Sequence, residues 1–313
     1  MSKLICIGDV AYLCTSFVPL PWLYTLARMK GRLRHWGSRE TREIVHGNLQ
    51  SFLGSSHSEP EIDRMTRLFF EYRELRILLY YLYPGLKPRQ VEALLPLEGL
   101  EHLDRLCPER KGGILLLSHV NSVVGLIAKE ILRARGYDVR VAYPTETPPF
   151  PPTLFRRVWD RIFPPANIVA SADFCTQFNI RPIVRRLREG AIILLTGDGW
   201  HSAGLAKAKF LGRELYFTTG AAGIARAVGC PIVPLFVVGY PPDMLRVVIE
   251  EPKALEMTED QQRDLEVMVS NYTSRLEAHL VQYPLAWEHW FEKRALETMA
   301  TLPGRSLADR YRI

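Results

Sequence analysis

Between residues 113 and 252 short apolar runs alternate with stretches of helical periodicity, and this rhythm constrains the fold more than any other feature of the chain. "GILLLS" (113–118), "DVRVAY" (138–143), "NIVA" (167–170), "AIILLT" (191–196), "PIVPLFVVG" (231–239) and "LRVVIEEP" (245–252) have the length and composition of strands. Residues 124–135, 153–163, 180–190 and 218–229 carry apolar residues at helical spacing, as in Ile180, Ile183, Val184 and Leu187. Such alternation predicts an α/β sheet with helices on its faces. The pattern before residue 100 differs. Residues 37–60 are mostly polar, with a loop at "GSSHSEP", and 61–83 read as a long helix stopped by Pro84-Gly85. A last long helix is expected over 259–282.

The amino terminus holds eighteen uncharged residues, Val10 to Ala27, interrupted by Pro19 and Pro21 and followed by Arg28, Lys30, Arg32 and Arg34. No A-x-A site follows the apolar stretch, which argues against a cleaved signal peptide. An apolar stretch with a basic, Trp-containing flank suits an interfacial anchor; a buried core helix is the alternative. If the segment spans a membrane, its positive flank predicts a cytoplasmic catalytic domain. The net charge of +6 admits nucleic acid, anionic lipid or an acidic protein as partner. No nucleic-acid recognition motif accompanies the basic residues, so nucleic acid is not expected. The five cysteines are odd in number and none form CxxC, which argues against a zinc site or a disulfide framework.

Ligands of open α/β sheets gather beyond the carboxyl ends of strands. Two such ends are polar: Ser118-His119-Val120-Asn121-Ser122 and Thr196-Gly197-Asp198-Gly199-Trp200-His201. His119 has the chemistry of a general base and Asp198 that of its orienter, provided the two ends are adjacent. Gly197 and Gly199 would let the backbone turn tightly and approach a ligand. The P-loop, the dinucleotide fingerprint, the G-x-S-x-G elbow and H-E-x-x-H are all absent. Arg181, Lys207, Lys209 and Arg213 are candidate phosphate contacts, each weighed against a plain surface role. Thr218, Thr219 and Gly220 open a helix whose N–H groups could hold an anion, or serve as a plain cap. Arg156, Arg157 and Arg161 share one helix; His201 is a further polar loop residue, and a nucleophilic Ser202 or Cys175 is disfavoured. Trp287, His289 and Trp290 are expected to pack or to sit at a membrane edge rather than catalyse.

The order of segments resembles the bacterial lysophospholipid acyltransferase superfamily, in its late lipid A (lauroyl/myristoyl) branch. The resemblance is carried by "REIVHGNLQSFLG" (42–54), "LEGLEHLDRLCPERKGGILLLSH" (97–119), "NIRPIVRRLREGAIILLTGDG" (179–199), "FLGRELYFTTGAAGIARAVGCPIVPLFVVG" (210–239) and "YPLAWEHWFEKR" (283–294). It implies a mixed central sheet flanked by helices, as in glycerol-3-phosphate acyltransferase. Residues 1–36 would be a membrane-associating helical segment, and 37–313 the catalytic domain with a helical preface at 37–95. It implies transfer of an acyl chain from acyl carrier protein or coenzyme A to a hydroxyl of a lipid or glycolipid, with His119 as base. No metal or other cofactor is implied, because the thioester carries its own leaving group. The implied partners are the thioester carrier, a lipid acceptor and an anionic membrane surface, at the cytoplasmic face of a bacterial inner membrane. Asn121, Ser122, Arg181, Gly197, Gly199, Lys209 and Thr219 are the expected substrate contacts.

One departure stands out. The family motif H-x-x-x-x-D/E places an acid five residues after the histidine, and here that residue is Val124. Asp198 could replace it from another strand end. Asn121, Ser122 or a backbone carbonyl could hold the imidazole instead. Or the chain is a silent lipid-binding or scaffold protein of the same fold.

Overall fold

A parallel strand pair lies at the centre of the molecule, β2 (Gly113–Leu117) beside β5 (Ile192–Thr196), in register from Gly113↔Ile192 to Leu117↔Thr196. The computed structural model describes residues 19–83, 86, 88–106, 112–143, 174–175, 180–199, 204–242, 245–253 and 257–292. Among these residues the main sheet runs β1-β9-β8-β2-β5-β3-β4. Its other strands are β1 (Leu97–Glu98), β3 (Val139–Tyr143), β4 (Phe174–Cys175), β8 (Ile232–Val238) and β9 (Arg246–Ile249). All neighbours are parallel except β8 and β9, so the sheet is mixed. β2 is buried along its whole length, as strands covered on both faces must be.

Helix α6 (Ser122–Ala134) follows β2, α7 (Arg181–Arg188) leads into β5, α8 (Gly220–Val228) precedes β8, and α9 (Gln261–Gln282) crosses the sheet. Short helices α4 (Pro88–Leu94) and α5 (Glu101–Asp104) flank β1. One apolar cluster joins Ile114, Leu116, Phe236, Tyr272, Trp287 and Trp290 on one face of the sheet. A second joins Leu115, Leu117, Val124, Ile127, Leu235 and Val237 on the other.

The amino-terminal part is helical: α1 (Leu20–Gly37), α2 (Arg39–Leu53) and α3 (Glu59–Leu82). α2 lies in the mostly polar part of 37–95, the stretch expected to be a helical preface. Its buried residues Val45, Leu49, Phe52 and Leu53 follow helical spacing, which the surrounding charges mask in a linear reading. α1 packs on α3 through Leu23 and Ala27 against Leu75, Leu78 and Leu82. At Gly31 the helices approach so closely that a Cβ would lie 2.6 Å from the Glu71 Cα. The expected boundary at residue 36 falls at the end of α1, which is docked on the preface. Among the described residues no helix is long and apolar enough to cross a membrane; residues 10–18 of the uncharged stretch lie outside them.

Residues 205–217, to which the sequence pattern assigned no element, and Thr218, expected to open the next helix, form an antiparallel hairpin, β6 (Leu205–Phe210) and β7 (Arg213–Thr218). Leu211 (φ 49°) and Gly212 (φ 74°) make its two-residue turn, the left-handed geometry that matches strand twist. Ala206, Ala208 and Phe210 point inward while Lys207 and Lys209 are exposed. The expected helix over 153–163 and strand over 167–170 lie outside the described residues.

Candidate active site

The register of β2 and β5 builds the site. Leu117 lies opposite Thr196, and the Gly197 N–H donates to the Leu117 carbonyl at 2.8 Å, extending the ladder one step. Two residues past each paired end stand His119 and Asp198, which therefore face each other. The His119 Nδ1 is 2.7 Å from Asp198 Oδ1. The His119 backbone N–H also donates to both carboxylate oxygens, at 3.0 and 2.8 Å. A carboxylate only accepts, so Nδ1 carries the proton and Nε2 is left to act as base. The His119 side chain is 30% exposed, whereas that of Asp198 has no exposure.

Burial opposes charge on both groups, and their mutual attraction overcomes it. Burial lowers the His119 pKa, but the charge and hydrogen bond of Asp198, with Glu288 and Glu292 beyond it, leave it raised above 6.5. Burial raises that of Asp198, but His119, the His289 charge and the Trp287 N–H hold it well below the usual carboxylate range.

The other wall comes from the carboxyl-terminal part of the chain. Val120 and Trp287 form an antiparallel bridge. The Asn121 N–H donates to the Ala286 carbonyl at 2.8 Å, and the Glu288 N–H to the His119 carbonyl at 2.9 Å. Three consecutive residues then line the site, two of them holding Asp198 and one Ser122. Trp287 Nε1 donates to Asp198 Oδ2 at 2.9 Å. The Glu288 carboxylate accepts from Ser122 Oγ at 3.0 Å, over the first turn of α6. His289 Nε2 donates to the Asp198 carbonyl at 3.1 Å, and its ring lies 4.1 Å from that of His119. Trp287 and His289 were expected to pack or to sit at a membrane edge, and Glu288 carried no expectation. The density of polar aromatics in "WEHW" was the available signal, but nothing in it tells which strand end the segment reaches.

Arg76 of α3 closes the arrangement from behind. It is 1% exposed and donates through Nη1 to Asn121 Oδ1 at 3.3 Å and to the Leu285 carbonyl at 3.2 Å. Its Nε lies 3.8 Å from Glu288 Oε1, and burial pushes its pKa down to about 10. An arginine inside the run "LRILLYYL" was the sequence hint to this role.

The remaining expected site residues divide. Asn121 is fully buried with a left-handed backbone (φ 49°), and its amide donates to the Val237 and Gly239 carbonyls. Asn tolerates this conformation, and its side-chain contacts hold the turn. Gly197 does not adopt a positive φ; it is glycine because a Cβ there would lie 2.5 Å from the Tyr272 ring. Gly199 has open space at its Cβ position, with nothing nearer than Thr196 Oγ1 at 3.8 Å. Thr219 is the residue before α8, is nearly buried, and donates its N–H to the Gly204 carbonyl at 3.0 Å. Its side chain makes no cap; the Gly220 N–H bonds Thr218 Oγ1 instead, at 3.2 Å. Arg181 opens α7 in an exposed position, and Lys209 lies exposed on β6, opposite Glu214 across the hairpin. Neither is among the partners of Asp198 named above. Arg156, Arg157, Arg161, His201 and Ser202 lie outside the described residues.

Val124, where the motif acid was expected, is 1% exposed and packs in the apolar cluster with Leu117 and Ile127. A carboxylate there would be buried without a partner. Donor atoms of His119, Asp198 and His289 lie within 4.8 Å of one another, a spacing compatible with a metal ion. However, the 2.7 Å between Nδ1 and Oδ1 is a hydrogen bond. Two ligands on one tetrahedral zinc would stand about 3.3 Å apart, given metal–ligand bonds near 2.0 Å. The geometry fits a base and its orienting acid better than a ligand set.

No curated protein matches the chain. Among solved structures, the 1-acyl-sn-glycerophosphate acyltransferase PlsC from Thermotoga maritima is similar at 15% identity, over 82% of this chain and 97% of that one, with a TM-score of 0.38. The sequence profile of bacterial lipid A biosynthesis acyltransferases matches residues 3–297, nearly the whole chain, and so the protein belongs to that family.

Proposed function

We propose that the chain transfers an acyl group from a thioester, on acyl carrier protein or coenzyme A, to a hydroxyl of a lipid or glycolipid. The observation that carries this reading is the 2.7 Å contact between His119 Nδ1 and Asp198 Oδ1, in a family of acyltransferases. A hydroxyl is a poor nucleophile at neutral pH, and a positioned imidazole is typically worth about 10²–10⁴-fold. His119 Nε2 takes the acceptor proton as the oxygen attacks the thioester carbon. The tetrahedral intermediate then collapses, the C–S bond breaks, and the departing thiolate receives the proton from Nε2. Asp198 fixes the tautomer and stabilises the imidazolium, while Trp287 and His289 hold Asp198.

No metal or prosthetic group is needed, because the thioester supplies its own leaving group. Ser122, beside the base, is the local polar contact for the acceptor. We assign Arg181 and Lys209, both exposed cations, to phosphate or carboxylate on the substrates. Gly199, with open space at its Cβ, gives a ligand room beside Asp198, whereas Gly197 and Thr219 serve the packing around it. The acceptor is a membrane lipid, so we place the enzyme at the cytoplasmic face of a bacterial inner membrane.

The test is acyl transfer followed by mass spectrometry, with acyl carrier protein thioesters and acyl-CoA offered separately over a bacterial lipid extract. Transfer by the parent protein and its loss in His119→Ala support the reading. No transfer from either thioester class would favour a silent lipid-binding protein instead.

A further inference from the structure

Beside the base, three partly exposed groups share one hydrogen-bonding sense. His119 Nε2 offers a lone pair, because Nδ1 carries the proton held by Asp198. The Glu288 carboxylate, 25% exposed, only accepts. Ser122 donates its single hydroxyl proton to Glu288 Oε2 at 3.0 Å, so toward a ligand it too presents lone pairs. The second oxygen of Glu288 is loosely held. Oε1 lies 3.5 Å from the Val123 nitrogen and 3.8 Å from Arg76 Nε, both long for hydrogen bonds. The Glu288 N–H bonds the His119 carbonyl at 2.9 Å, which keeps the carboxylate beside the base. Donors around the carboxylate are engaged. The amino terminus of α6 suits an anion, and Glu288 itself stands there. Arg76 is 1% exposed and lies behind the wall. Arg73 lies 3.3 Å from Glu74 and 4.4 Å over the Phe291 ring.

We propose that Ser122 and Glu288 are specificity residues that read a second hydrogen-bond donor on the acceptor, a hydroxyl or amide N–H near the hydroxyl that reacts. The inference rests on reading His119 as the base toward a hydroxyl. The second donor bonds Ser122 Oγ or Glu288 Oε1 and keeps its proton. That bond fixes the acceptor so that the reacting O–H points at His119 Nε2. The acceptor class is therefore a diol or a hydroxy-amide. A phosphate or carboxylate on the carbon next to the reacting one would instead meet the Glu288 charge and the lone pairs of Ser122. Glu288 sets this preference twice over, by its own charge and by committing the Ser122 proton. Glu288→Gln removes the charge, and its amide N–H can donate to Ser122, which frees the serine proton and reverses the sense of the contact.

The test is binding of four probes to the full chain, measured by ligand-observed NMR: 1-octanol, 1,2-octanediol, 1,3-octanediol and octyl phosphate. At least one diol should bind the parent about five-fold or more tighter than 1-octanol, as expected for a hydrogen bond to a charged group. Octyl phosphate should bind no better than 1-octanol. In Glu288→Gln and in Ser122→Ala, each checked for folding by circular dichroism, the diol preference should fall to about two-fold or less. If Glu288→Gln does not fold, Ser122→Ala carries the comparison. Equal binding of the diols and 1-octanol by the parent overturns the proposal. So does a preference for octyl phosphate, or a diol preference that persists in both variants. None of these readouts requires turnover. Diol preference without transfer from any thioester would contradict the acyltransferase reading alone, and transfer without diol preference would contradict this inference alone.

Discussion

His119 and Asp198, seventy-nine residues apart, meet through a 2.7 Å hydrogen bond because β2 and β5 are adjacent, parallel and in register at Leu117 and Thr196. The acid missing from the first turn of α6 is thereby supplied from the next strand. On the proposed mechanism a neutral isostere cannot replace Asp198. Asp198→Asn should lose about 10²–10⁴-fold in transfer rate, since an amide neither enforces the tautomer nor stabilises the imidazolium. Steady-state rates on a thioester donor measure this.

The pH–rate profile should have its acid limb above 6.5. The base works only unprotonated, and its pKa is raised, because the effect of Asp198 exceeds the lowering by burial. In Asp198→Asn only burial and the more distant carboxylates remain, so the residual activity should show its limb at lower pH. A limb that stays in place would separate the titrating group from His119.

Stability should depend on the same pair with opposite signs. The depressed Asp198 contributes stability that is present above the ordinary value of 3.8 and fades as pH falls toward its folded pKa. The raised His119 contributes stability that is complete below 6.5 and fades as pH rises through its folded pKa. Denaturant unfolding across pH should therefore show the pair's contribution greatest between those limits, and absent in a His119→Ala/Asp198→Asn double variant.

Trp287→Phe keeps an aromatic ring but removes the N–H that reaches Asp198 Oδ2. It should cost about 1–3 kcal/mol of stability, because a buried charged acceptor loses a donor. It should also slow transfer without changing the apparent affinity for the donor. Equal stability in urea unfolding would contradict the role given to Trp287.

Val124→Asp restores the motif acid in sequence but not in space. The new carboxylate would sit among Leu117, Ile127 and their neighbours, unpaired. Loss of about 3 kcal/mol or more is expected, with no rescue of Asp198→Asn. Rescue would mean that α6 can turn this position toward His119.

The strands bearing His119 and Asp198 were legible because each is a continuous apolar run ending in polar residues. Their adjacency was not, since β2 and β5 are separated in sequence by α6, β3 and more. The hairpin was hidden by exposed charges on an amphipathic element, although Ala206, Ala208 and Phe210 keep a period of two; α2, inside the expected helical preface, keeps a helical period in Val45, Leu49 and Phe52. The site's far wall was the least legible part. Trp287, Glu288 and His289 act through a bridge to Val120 that only the folded chain creates. Arg76 is read as polar in an apolar helix until its partners Asn121 and Leu285 are in place.

The most direct test of the central claim compares the parent, His119→Ala and Asp198→Asn in one thioester-transfer assay, at a pH above the acid limb and with folding checked by circular dichroism. The account predicts transfer by the parent, with both variants folded and slower by about 10²-fold or more. Parent-like transfer by Asp198→Asn would contradict it, because the 2.7 Å contact would then be structural and the base would be oriented by another group.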